Sequence, residues 1–88
     1  MLKYVIERDL PGAGDLSPAQ LSGIARRSCD VLRDMGPGIQ WVQTLVTDDK
    51  MYCVYYANDE AQILEHARRG GFPADSVSAV RAVLDPTM

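Results

Sequence analysis

Residues 39–75 read IQWVQTLVTDDKMYCVYYANDEAQILEHARRGGFPAD, and this stretch decides the fold. Its first half predicts a β-hairpin with strands over residues 39–47 and 51–57, because both arms are rich in β-branched and aromatic residues and flank a polar turn. Its second half predicts a helix over residues 59–69, which a Gly-Gly pair ends. The stretch also contains the only Trp, the only His and the only Phe of the chain, so we expect a functional site here.

Before the hairpin, the sequence predicts one strand and one helix. Residues 3–9 alternate in polarity as a strand does. One face of this strand carries Tyr4, Ile6 and Arg8. The helix begins at an N-cap, Ser17, with a proline at the first helical position and Gln20 completing a capping box, and Gly36 ends it. Its apolar or small positions form one stripe: Leu21, Ile24, Ala25, Ser28, Val31, Leu32 and Met35.

After the second helix, residues 77–85 predict a last strand, although residues 75–79 are also compatible with a helical turn. The order is therefore β-α-β-β-α-β, which is typical of an α+β ferredoxin-like sandwich with an antiparallel sheet and two helices on one face. Right-handed crossovers would place the first and third strands at the centre of the sheet. We expect one domain over residues 1–88.

The hairpin arms are apolar on both faces, whereas a sheet with one solvent-facing side normally alternates between apolar and polar residues. On one face we expect Trp41 and Leu45, and on the other Val42 and Val46. The helices would cover only one of these faces. We therefore expect the other face to form a homodimer interface or to enclose a pocket.

Composition excludes several classes of function. A net charge of −3 with scattered basic residues argues against nucleic-acid binding. No apolar stretch is long enough to span a bilayer, and the first residues alternate like a strand and lack the features of a signal peptide, so we expect a cytoplasmic protein. Cys29 and Cys53 form no C-x-x-C motif and are expected to be reduced core thiols.

His66 is the first candidate metal ligand, and it is predicted to flank the buried face of its helix. Neither the third nor the fourth residue on either side of it is a good ligand, so other ligands would come from Glu7, Asp9 or Glu65, or from another subunit. One imidazole with carboxylates would suit nickel, zinc or cobalt. Alternatively, His66 forms a local hydrogen bond at the rim of a pocket, and Glu7 forms an ion pair with Lys50, Arg68 or Arg81.

A second interpretation is a small-molecule-binding module or a cofactor-free enzyme of the oxygenase or isomerase kind. Trp41 and Tyr55 would be walls of an aromatic pocket, with Glu7 and His66 as an acid/base pair. The aromatic residues are equally compatible with a core or an interface between subunits. The sequence contains no GxGxxG, Walker A, HExxH or GxSxG motif, so it specifies no reaction.

Several segments resemble a bacterial family of small proteins. They are KYVIERDLPGAG at the N-terminus, a tryptophan followed by DDKMYCVY, and EHARRGGFPA. The family is a domain of unknown function whose best-known type is described as a nickel-binding protein. The resemblance implies a ferredoxin-like fold, a homodimer and nickel sequestration, with His66 as the expected nickel ligand and Glu7 and Asp9 next.

Overall fold

The computed structural model describes all 88 residues and contains a four-stranded antiparallel sheet with two α-helices and one short 3-10 helix. The elements, in chain order, are β1 (Leu2–Asp9), the 3-10 helix (Ala13–Asp15), α1 (Pro18–Met35), β2 (Ile39–Val46), β3 (Lys50–Ala57), α2 (Glu60–Gly70) and β4 (Ser76–Ala79). The sheet order is β2-β3-β1-β4, so the first and third strands are central, as predicted. The ferredoxin-like β-α-β-β-α-β fold is therefore confirmed. No helix is both long and apolar enough to cross a bilayer.

The two faces of the sheet differ in burial. The covered face, on which the helices pack, carries Tyr4, Ile6, Arg8, Met51, Cys53 and Tyr55, all of them buried. The open face carries the alternate residues of the same strands, among them Val5, Glu7, Tyr52, Val54 and Tyr56. Ile63 of α2 joins the covered-face residues in one core cluster, and α1 packs on that cluster through partly buried residues such as Leu21, Ile24 and Leu32. Full burial of a side chain such as Ile6 contributes about 1.5–3 kcal/mol to folding.

Both helices begin and end where their capping residues predict. The Ser17 side chain accepts a hydrogen bond from the backbone of Gln20, and the Gln20 side chain accepts one from the backbone of Ser17, which completes the capping box of α1. Asp59 caps α2 by accepting from the backbone N–H of Gln62 at 3.0 Å. Gly71 ends α2 in the left-handed conformation, with a φ of 68°, which a glycine adopts without strain.

A β-bulge in β2 makes the orientation of its side chains differ from the predicted one. Trp41 pairs with Tyr55 and Gln43 with Val54, so Val42 is an extra residue between two consecutive pairs. Trp41 consequently lies on the covered face, whereas Leu45 pairs with Tyr52 on the open face. The prediction that Trp41 and Leu45 share a face is wrong, because strict alternation ignores the inserted residue.

The last strand is shorter than predicted. β4 covers only Ser76–Ala79, and Ala79 pairs with Tyr4 of β1. Beyond it, only the backbone N–H of Val80 continues the ladder, donating to the carbonyl of Lys3 at 2.8 Å. Because β1 begins at Leu2, which in this register would face residue 81, residues 82–85 have no neighbouring strand to pair with.

Two predictions about burial are also wrong. His66 is buried, with 1% of its surface exposed, and does not merely flank the core, whereas its neighbour Leu64 is 49% exposed. The buried stripe of α2 is Ile63, His66, Ala67 and Gly70. Both cysteines are free, but only Cys53 lies in the core, since Cys29 is exposed.

Candidate functional site

A pocket of about 200 Å³ lies between α1 and the covered face of the sheet. Nine of its twelve lining residues are hydrophobic. Those that define its walls are Leu21, Ile24 and Ala25 of α1, Trp41 of β2, Met51 of β3, and Phe72 after α2. The polar groups of the pocket are few, which is typical of sites for small organic ligands. The bulge in β2 is part of this site, because it turns Trp41 toward α1.

Arg8 is the charged residue of the pocket, and only 4% of it is exposed. Its Nε donates to Sγ of Cys53 at 3.3 Å, and its Nη1 donates to the carbonyl of Pro73. Its third nitrogen, Nη2, is buried and has no hydrogen-bond partner. None of the ion pairs in the protein includes Arg8. The pocket therefore contains a positive charge that the chain does not neutralise.

A short chain of hydrogen bonds fixes the polar side of the pocket. Nε1 of Trp41 donates to Oγ1 of Thr44 at 3.0 Å, and Thr44 in turn donates to Sγ of Cys53 at 3.2 Å. Because Arg8 donates to the same sulfur, Cys53 connects the Trp41 ring to the guanidinium. These bonds hold Trp41 and Arg8 in fixed positions on either side of the thiol.

His66 lies beneath α1, behind the wall of the pocket. Its Nε2 is hydrogen-bonded to Oγ of Ser28 at 3.1 Å, and its ring is stacked on Phe72 with the centroids 5.5 Å apart. Tyr55 contacts the same imidazole, at a centroid distance of 5.2 Å. Burial, and secondarily the charge of Arg8, lower the pKa of His66 from 6.5 to about 4, so the ring is neutral at pH 7. Burial also raises the pKa of Tyr55.

The structure does not bring the three predicted metal ligands together. Glu7 and Asp9 lie on the open face, where their carboxylates are 3.6 and 3.7 Å from Nζ of Lys50, whose pKa is raised chiefly by Asp9. His66 lies on the other side of the sheet, among the core side chains. Glu65 forms ion pairs with Arg68 and Arg69, and these two arginines lower the pKa of its carboxyl to about 2. No group of three or more potential metal-ligating side chains occurs in the protomer.

The two predicted pocket walls, Trp41 and Tyr55, do line one pocket, but Glu7 and His66 do not converge there. Arg8 was not among the predicted site residues, although it is the charged residue of the pocket. The available signal was the alternation of β1, which placed Arg8 on the same face as Tyr4 and Ile6. An arginine on the apolar face of a central strand indicates a buried charge.

Comparison with known proteins identifies the family. A family model described as nickel responsive protein SCO4226-like matches residues 4–80. The chain belongs to the SCO4226-like family. The resemblance drawn from its sequence is thereby confirmed.

The SCO4226-like chain is similar in fold to the crystal structure of SCO4226 from Streptomyces coelicolor A3(2), with a TM-score of 0.78 and 15% sequence identity. The matched region covers 93% of this chain and 99% of that one. At this identity the likeness concerns the fold. A comparison with curated proteins gives no match.

Proposed function

We propose that this SCO4226-like protein is a small-molecule-binding protein and that its ligand occupies the pocket between α1 and the sheet. The observation that carries the proposal is the pocket itself, with its apolar walls and its one buried, unneutralised guanidinium. Protein interiors are normally close-packed, and empty space in them is unfavourable because the lining atoms lose dispersion contacts. A pocket of about 200 Å³ is therefore a conspicuous feature in a chain with 15 buried residues.

The size and walls of the pocket limit the ligand. Pockets for drug-sized molecules have volumes of about 300–1,000 Å³, so a volume of about 200 Å³ suits a smaller molecule. Trp41, Tyr55 and Phe72 offer aromatic surfaces, and Met51 a flexible apolar one. A compact ligand with one aromatic or branched apolar part fits this lining.

Trp41 provides the assay for this proposal, because it is the only tryptophan and it lines the pocket. Titration with a set of small aromatic compounds should change its fluorescence with saturation. Ala25→Met places a larger side chain into the pocket from α1 and should weaken that response by at least about tenfold. Ala61→Met makes the same change at an exposed position of α2 and should leave binding unchanged. A set of compounds that gives no saturable response, or a response that Ala25→Met leaves intact, would contradict the proposal.

Family membership supports a second candidate function, the binding of a divalent transition metal such as nickel. The residues of one protomer do not fit a nickel site, since His66 is buried against Ser28 and the carboxylates of Glu7 and Asp9 lie on the opposite face. This candidate therefore needs ligands from a second copy of the chain, next to Glu7 and Asp9. A nickel-responsive protein need not itself bind nickel, so the family description is compatible with either candidate.

Calorimetric titration with nickel tests the metal candidate. Glu7→Gln combined with Asp9→Asn removes both open-face carboxylates, and nickel binding should be lost with them. His66→Gln should leave nickel binding unchanged, because the imidazole is 1% exposed. Nickel binding that survives in the double variant, or that is absent from the parent protein, would exclude the open face as a metal site.

We also propose that the open face forms a homodimer interface. The support is its apolar character: Leu45 is 54% exposed and Tyr56 is 38% exposed, and both lie on that face near Val54. Sheets whose second face contacts water usually carry polar residues there. Leu45→Lys should therefore convert a dimer to a monomer in light scattering after gel filtration. Leu64→Lys, at a site 49% exposed on α2, is the matched control, and a parent protein that is monomeric at all concentrations would refute the dimer.

A further inference from the structure

We infer that the ligand of this pocket is an organic anion, in which a carboxylate pairs with the buried guanidinium of Arg8 and an apolar body fills the space between α1 and the sheet. The inference rests on the proposed function and adds the chemical class of the ligand. It is carried by one juxtaposition: a nearly fully buried arginine with a free donor, at the wall of an otherwise apolar pocket.

The guanidinium has a free donor because the chain uses only part of its hydrogen-bonding capacity. Nε and Nη1 are engaged by Cys53 and by the carbonyl of Pro73, and the Phe72 ring lies 5.5 Å from Cζ. These partners are a thiol, a backbone carbonyl and an aromatic ring, and none of them is a carboxylate. A buried charge without a counter-charge is unfavourable, and buried donors without acceptors are rare in native proteins. An anion bound against the guanidinium would supply the missing counter-charge.

The counter-charge does not come from the chain's own carboxylates. Those nearest in sequence, Glu7 and Asp9, project from the other face of the sheet and pair with Lys50. Asp75, which is close along the β1 edge, accepts from the backbone N–H of Asp9 at 2.7 Å. With these acids committed elsewhere, the partner of Arg8 has to come from outside the protein.

A second arginine increases the positive potential beside Arg8. An adjoining pocket of about 160 Å³ shares Arg8, Met51 and Phe72 with the first and adds Arg27 of α1. Cζ of Arg27 lies 4.9 Å from the Phe72 ring centroid, and no ion pair includes this residue either. Two guanidinium groups that share one ring would attract an anion to this spot, although the whole chain has a net charge of −3.

The apolar lining favours a carboxylate on an apolar body over a bare inorganic ion. A small inorganic anion would supply the counter-charge but would leave the surface of Trp41, Ile24 and Met51 in contact with water. Burial of that surface adds to affinity only if the ligand has an apolar part. Arginine also binds carboxylates through strong, charge-assisted hydrogen bonds.

The test compares each acid with its neutral amide, in the full-length protein at pH 7, by Trp41 fluorescence. Suitable pairs are benzoate with benzamide and phenylacetate with phenylacetamide, because each pair has nearly the same shape and differs in charge. The acids should bind at least about tenfold more tightly than the amides. Arg8→Gln should reduce this ratio to about one. Arg27→Gln should reduce it less, and Arg26→Gln, at an exposed position one residue away, should leave it unchanged.

The possible failures are distinguishable. If acids and amides bind equally well, the inference about the anion is wrong and the pocket remains a ligand site. If no member of either pair binds, the proposed function is overturned and the inference with it. Inorganic phosphate that protects against thermal unfolding as strongly as phenylacetate would show that charge alone is recognised, which also overturns the inference. Should Arg8→Gln fail to fold, Arg27→Gln decides the question, and an acid-to-amide ratio equal to that of the parent protein would overturn the inference.

Discussion

Replacement of His66 should remove most of the pH dependence of stability between pH 5 and pH 7. His66 is the only histidine, so no other side chain has its ordinary pKa in the middle of this range. It packs against Ser28 of α1, Tyr55 of β3 and Phe72, and the charged group that faces it is Arg8 of β1. Burial among these neighbours and the charge of Arg8 favour the neutral imidazole, whereas the hydrogen bond with Ser28 favours the protonated one.

The sign and size of the effect follow from the pKa of the ring in the two states. The unfolded chain takes up a proton near pH 6.5, whereas folded His66 does so only at about pH 4. Between these values the unfolded state binds more protons, so the free energy of unfolding falls as the pH falls. The free energy of unfolding falls by about 2 kcal/mol from pH 7 to pH 5. The total decrease reaches about 3 kcal/mol once the pH is below the pKa of the folded ring. This is a large part of the roughly 5–15 kcal/mol that stabilises a typical domain.

Urea unfolding followed by Trp41 fluorescence measures the effect. The parent protein should lose about 2 kcal/mol between pH 7 and pH 5, and His66→Gln should lose much less because only carboxylates then titrate. A second variant, His66→Gln with Ala61→His, restores a histidine at an exposed position and should behave like His66→Gln. Equal losses in the parent protein and in His66→Gln would refute the assignment of a buried, neutral imidazole.

Two pairs of substitutions test the local structure of the helices. Gly70→Ala should destabilise the protein by about 1–3 kcal/mol in thermal or urea unfolding, because the new Cβ would overlap the Phe72 ring. Gly23→Ala, with open space around the new Cβ, should stabilise the protein by up to about 1 kcal/mol. A change of the same sign in both variants would contradict the close contact between Gly70 and Phe72. Asp59→Ala should lower the free energy of unfolding by about 1 kcal/mol, because it removes the N-cap of α2. Asn58→Ala is the control and should lower it less. An equal decrease in both variants would show that Asp59 is not the cap.

Much of the fold was predictable because its signals are local. The cap at Ser17, the turn between β2 and β3, and the glycine pair at the end of α2 each act within a few residues, and each is predicted correctly by the sequence. The order of the elements then limited the topology to a ferredoxin-like sheet. The errors lie where distant segments decide the outcome. The bulge at Val42 depends on how β2 pairs with β3, and the end of β4 depends on where β1 begins.

The site was less predictable than the fold for the same reason. Hydrophobicity favours Leu64 over His66 for the buried face of α2, yet the imidazole is the buried one. Its polar nitrogen finds Ser28, which lies 38 residues earlier in the chain, and its ring packs against Phe72. A single sequence does not show such partners, so for a lone histidine it left open both a metal ligand and a local hydrogen bond at a pocket rim.

A substitution at Arg8 distinguishes a ligand-binding role of the pocket from a purely structural one. Its position on the covered face, opposite Met51 and beside the pair formed by Ile6 and Cys53, is one that an apolar side chain of similar length would fill without a desolvation cost. Buried charges are often replaceable by such residues with no loss, or with a gain, of stability. Arg8→Met should therefore cost little stability, while it removes the positive charge that an anionic ligand needs. A residue that contributes more to binding than to folding is the expected mark of a site, and Arg8→Met tests whether Arg8 is such a residue.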